Sequence, residues 1–229
     1  RIGFDQDHWR SLLRSAWPLA VANLLVLVYY RADTLLLALL RPAAEVGIYG
    51  IASRLLDTAV GVAILLTSLL APRLAARRSE PQAFAQLFAS SIDSFLIGGG
   101  AIVLTLAAFG GELAAVIGGG EFYAARLPTA VLALTFLCAS LSLLLRQALI
   151  ALDRHHGLLL GFGFAALLAV SLSLFLIPIL GATGAALSTL AGEICVLLWT
   201  ARTLARLGAL PNRRRSLFVM LAALFIGGL

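Results

Sequence analysis

Residues 17–40 read WPLAVANLLVLVYYRADTLLLALL. Twenty-four residues with two charges, Arg31 and Asp33, are long and apolar enough for one membrane-crossing helix, which needs about 20. Each of those charges would cost roughly 2.5–3.5 kcal/mol on insertion scales if it stood unpaired at the centre of a hydrocarbon layer. The stretch is therefore either not a span or part of a bundle that shelters charge, and the rest of the sequence decides between the two.

The sequence is 61% hydrophobic and 12% charged over 229 residues, with a mean hydropathy of +1.01. Soluble domains carry about 25% charged residues. Apolar runs recur at 15–40, 46–72, 83–109, 126–152, 157–180 and 183–205, and a seventh starts near Ser216 and is cut at Leu229. The expected class is all-α, a polytopic membrane bundle of six complete spans and the start of a seventh. Residues 1–209 form the six-span unit, and residues 210–229 a linker and the start of a further span. Opening on Arg1 and stopping inside SLFVMLAALFIGGL, the sequence reads as a piece of a longer chain.

Loop arginines orient the spans. Twelve of them (Arg1, Arg10, Arg14, Arg73, Arg77, Arg78, Arg154, Arg202, Arg206, Arg213, Arg214 and Arg215) fall on one side of the alternating spans, and Arg41 and Arg126 on the other. The positive-inside rule makes the arginine-rich side cytoplasmic. The net charge of +6 points to anionic lipid rather than nucleic acid, because the arginines are scattered over short loops and not gathered on an aromatic-studded face. Cys138 and Cys195 lie in apolar runs and read as small core residues. His155 and His156 sit in a short polar loop with no further ligands near in sequence, so no metal is expected. GLLLG at 157–161 is a small-xxx-small pattern that allows close helix contact. The glycine triplets at 98–100 and 118–120 lack the Lys and Ser/Thr of a phosphate loop and read as helix segments or loop ends. No catalytic motif is present, so no enzyme activity and no cofactor are expected.

The charges within spans remain. At about 1.5 Å per residue, Arg31 lies about 15 Å below Arg41, and Arg54 and Asp57 lie about 12–17 Å from the same side. Arg31, Asp33, Arg54 and Asp57 thus share a layer. Arg54 and Asp57, three apart, can pair on one helix face; Arg31 and Asp33, two apart, cannot face each other. Two readings stay open: cross-bracing of two helices, or a wet cationic cavity for an anionic head group, which guanidinium suits. Asp93 and Glu193, near mid-membrane on other spans, are either proton or sodium sites or hydrogen-bonding neighbours. Arg146, about 10 Å from the cytoplasmic end, can snorkel.

The order of features resembles the second half of the polysaccharide flippases, in the multidrug/oligosaccharidyl-lipid/polysaccharide exporter superfamily. It runs Pro18-Leu19, Arg31 and Asp33, the turn Val46-Gly47-Ile48-Tyr49, a helix with Ala52-Ser53-Arg54-Leu55 and the closing Pro72-Arg73-Leu74. The segment from LLLRQALIALDRHH to GATGAALSTLAGE is similar to that family's C-terminal region. The resemblance implies one lobe of a two-lobed transporter, helices seven to twelve and part of thirteen. The partner lobe would be the N-terminal half of the same chain, and access would alternate by rocking. It implies a polyprenyl-diphosphate-linked oligosaccharide as substrate, moved across a bacterial plasma (inner) membrane. The family's arginine on its seventh helix corresponds to Arg31, and depth adds Arg54. Competing readings are a multidrug exporter or a peptidoglycan-precursor flippase of the same superfamily, or a membrane enzyme acting on polyprenyl phosphates.

Overall fold

A computed structural model describes residues 31–153 and 158–207. These residues form helices and turns, with no strand among them. The helices are α1 (Ala32–Leu40), α2 (Ala43–Ala76), α3 (Pro81–Gly118), a 3-10 helix (Gly120–Ala125), α4 (Arg126–Ala151), α5 (Leu158–Leu180) and α6 (Ala182–Arg206). Five of them are long and apolar enough to cross a membrane, as in a multi-pass membrane protein. α1 is the later part of the first expected span. Residues 15–30 of that span, the loop histidines and the seventh span lie outside the described residues, so the count of six spans and a seventh is not reached here.

Local chemistry explains where the helices stop. Pro42 precedes α2 and Pro81 opens α3, positions where a missing N–H costs nothing. α3 ends on Gly119, whose φ of 101° only glycine adopts readily, and whose N–H caps the Ala115 carbonyl at 2.8 Å. Among the described residues Asp153 is the one non-glycine residue with positive φ, just past α4, and Asp tolerates that conformation. With 38 residues, α3 runs roughly 55 Å at 1.5 Å per residue and outreaches the hydrocarbon layer.

α4 is the axis of the bundle. It packs on α2, α3 and α6, and its membrane-length segment is 67% buried, against 11% for α2 and 17% for α5. α5 packs on α6 and α1. At the contact between α5 and α6 glycine is required by close approach. A Cβ on Gly184 would strike the Leu176 carbonyl of α5, and one on Gly161 would strike the Trp199 indole of α6. Gly161, the described end of the GLLLG pattern, thus seats a ring rather than a neighbouring backbone.

The core has two parts. One, around Phe88, Leu144, Leu149 and Leu204, joins α2, α3, α4 and α6; the other, around Leu37, Tyr49, Leu132 and Ile177, draws on all six helices. The second lies toward the end where three turns converge. There Arg41 is paired with Glu45 at 2.7 Å, and its Nη1 donates to the Pro178 carbonyl at 3.4 Å. The Glu45 carboxylate sits over Gly181, and the Phe122 ring lies 3.4 Å from where a Gly47 Cβ would stand. The turns after α1, α3 and α5 therefore share one end of the bundle, as alternating spans require.

Candidate functional site

The shared charge layer forms, but with different partners from those helix spacing offers. Arg31 caps the start of α1 and donates through Nη2 to Asp57 Oδ2 on α2 at 2.9 Å. Both side chains are half-exposed, at 50% and 52%. Asp57 pairs between helices and not with Arg54 one turn earlier. Arg54 is exposed on α2 and has no ion pair or hydrogen bond from its side chain among the described residues.

Asp33 points the other way, into the bundle. Its Oδ1 accepts the Thr34 backbone N–H at 2.6 Å. Its Oδ2 accepts the Tyr49 hydroxyl of α2, and the Thr189 hydroxyl of α6 lies 3.1 Å away. Tyr49 is 1% exposed. One carboxylate thereby ties three helices, and two donors stand in for the counter-ion a buried charge otherwise needs. Thr189 has one proton and two acceptors, since its own helix carbonyl at Ala185 is 3.0 Å away, so Tyr49 is the firmer donor.

A small cavity of about 70 Å³ lies between α1, α5 and α6, lined by Asp33, Ser173, Thr189 and Glu193 among others. Thr189 and Glu193, four apart, present one face of α6 to it. The cavity has room for a water or a small cation, with two carboxylates and two hydroxyls as oxygen ligands. Asp93 is half-buried on α3, which packs on α4, and it does not line this cavity. Arg146, on α4, packs toward α5. Its guanidinium rests 5.0 Å from the centre of the Phe162 ring on α5, and its Nε is buried without a hydrogen-bond partner. Cys138 and Cys195 are both free thiols, on α4 and α6.

The structure thus gathers Arg31 with Asp57, and Asp33 with Glu193 around one cavity, and leaves Arg54 unpaired. Tyr49, Thr189 and Ser173 were not singled out from sequence as members of the site. Their signal was present: hydroxyls in apolar spans, one of them a helical turn from Glu193. No protein-family model, curated protein or solved structure matches this chain.

Proposed function

We propose that this chain is the C-terminal lobe of a bacterial inner-membrane flippase. Its substrate is a polyprenyl-diphosphate-linked oligosaccharide, moved by alternating access against an N-terminal lobe of the same protein. The order of motifs supports the family, and one observation supports the chemistry. Arg54 stands free one turn from Asp57, whose partner Arg31 is half-exposed. In the water-filled cavity of this reading a half-exposed ion pair is worth about 0–1 kcal/mol, whereas hydrogen bonds to charged groups are worth about 1.5–3 kcal/mol. A diphosphate can therefore take Arg31 from Asp57 and engage Arg54 as well. Cationic drugs gain nothing from an unpaired arginine, which argues against the multidrug reading. The peptidoglycan-precursor flippase shares the diphosphate and is not set aside by the same argument. A membrane enzyme on polyprenyl phosphates would need catalytic groups beside these arginines. The Asp33–Glu193 cavity is the coupling site in this reading, taking a proton or sodium ion.

The test is polymer export by full-length protein in a host lacking its own flippase. Arg31→Ala and Arg54→Ala should each weaken substrate binding by about 10- to 150-fold, at 1.4 kcal/mol per decade, with normal membrane levels. Arg31→Lys should recover part of the activity, because it keeps the charge without the planar fork. Wild-type export by both alanine variants would reduce the layer to bracing.

A further inference from the structure

α2 and α3 both pack on α4 but little on each other. Between them a cleft of about 530 Å³ opens to the side of the bundle, within the range of about 300–1,000 Å³ typical of small-molecule sites. Phe136 of α4 forms part of its floor; Leu66 and Leu69 of α2 and Phe95 and Ile102 of α3 form walls; Arg73 stands at one end. Ser90, Ser91, Ser94 and Ser140 also line it, each donating to a carbonyl of its own helix at 2.8–3.0 Å. Their protons are spent inside the helix, so they widen the cleft without demanding a polar occupant. Gly98 adds room, since nothing lies within 4 Å of where its Cβ would stand.

Two features identify the occupant. From Val62 to Arg73, α2 rises about 16 Å at ~1.5 Å per residue, close to half of the ~30 Å hydrocarbon thickness. The cleft is as deep as one leaflet, so a chain much longer than a leaflet would not end in it. Arg73 lines its polar end, and Arg77 and Arg78 follow just past α2; all three are exposed and without ion pairs among the described residues. Arg73 lies in the last turn of α2 and Arg77 is the residue that caps it. An apolar slot one leaflet deep under two free guanidiniums complements a phosphate-headed lipid.

We propose that this cleft binds one acyl chain of an anionic glycerophospholipid from the leaflet on the Arg73 side, with its phosphate held by Arg73 and Arg77. The site is separate from the Arg31–Asp57 layer and does not depend on what the protein transports. The test uses full-length protein in phosphatidylcholine vesicles with a trace of phosphatidylglycerol carrying a photoactivatable mid-chain group. The same probe with a phosphatidylcholine head is the control. After illumination, labelled peptides are mapped by mass spectrometry. The phosphatidylglycerol probe should label residues 62–73 and 90–102 several-fold more than the equally apolar exposed face of α5 at Leu167 and Phe175. Gly98→Phe, or Ser94→Phe should the first variant fold poorly, should remove that excess. Arg73→Gln with Arg77→Gln should lower it to the level of the phosphatidylcholine probe. Equal labelling of cleft and α5, an excess that survives these substitutions, or the same excess with both head groups would overturn the proposal.

Discussion

Replacing Tyr49 with Phe tests whether Asp33 is the fastener of α1, α2 and α6. The ring stays, so no cavity opens, and what is lost is the hydroxyl donated to Asp33 Oδ2. Hydrogen bonds to charged groups are worth about 1.5–3 kcal/mol in folded proteins, while those inside membrane proteins average about 0.6 and reach about 1.7 kcal/mol. The acceptor here is a carboxylate and the donor's ring is 1% exposed, so the upper end of the membrane range applies. The expected loss is about 1.5–1.7 kcal/mol, or roughly 10- to 15-fold in the unfolding equilibrium. Thr189→Val should cost less, about 0.5 kcal/mol, because that hydroxyl divides its proton between Asp33 and Ala185. The double variant should exceed the sum of the two by at least about 0.5 kcal/mol, since Oδ2 then keeps no side-chain donor. Unfolding of the full-length protein in mixed micelles, followed by circular dichroism, measures all three. A Tyr49→Phe effect below about 0.3 kcal/mol with strict additivity would show that Asp33 does not hold the helices.

Arg54→Ala should leave stability within about 0.5 kcal/mol of wild type in that assay, as expected for a side chain without partners; a larger loss would reveal a structural role. Gly184→Val should prevent normal folding, because its side chain would meet the Leu176 carbonyl, while Gly163→Ala, with open space around it, should be neutral; protease resistance in membranes separates the two. Arg41→Gln should destabilise less than Glu45→Gln combined with Gly181→Ala, since Gly181 lies under the Glu45 carboxylate and has a φ of 57°; thermal melts in detergent rank them. A single cysteine at Ser79, with Cys138 and Cys195 replaced, should resist an impermeant thiol reagent in intact cells; its labelling would reverse the assigned orientation.

The helix limits were largely legible because they are set locally. Prolines at 42 and 81 and glycines at 119 and 181 interrupt apolar runs, and the limits of the described helices fall within a few residues of those runs, except at the end of α3 and at the start of α1, whose earlier residues lie outside the described ones. The charge layer was legible in depth, since rise per residue is fixed, but not in pairing. Spacing along α2 permits Arg54 with Asp57, yet Arg31 reaches Asp57 from a neighbouring helix, and no periodicity encodes which of two arginines arrives. The partners of Asp33 lie 16 and 156 residues away. Their identity follows from how α1, α2 and α6 pack, and that packing rests on three-dimensional fit of residues such as Gly184 against Leu176.

The burial of α4 carries a consequence for biogenesis. When α4 leaves the ribosome, α6, one of the three helices that enclose it, has not yet been made. The surface of α4 that α6 will cover must first face lipid, and the mean hydropathy of 2.0 for α4 suits that step. Thr135 and Ser140 bond to carbonyls of their own helix at 3.3 and 3.0 Å, so they impose little cost while lipid surrounds them. Only later does α6 close over the same surface. Leu144, wholly buried at 0%, is therefore constrained twice: by hydrophobicity during insertion and by shape after assembly. A substitution such as Leu144→Met satisfies the first constraint and strains the second, so it should appear as normal insertion followed by rapid turnover.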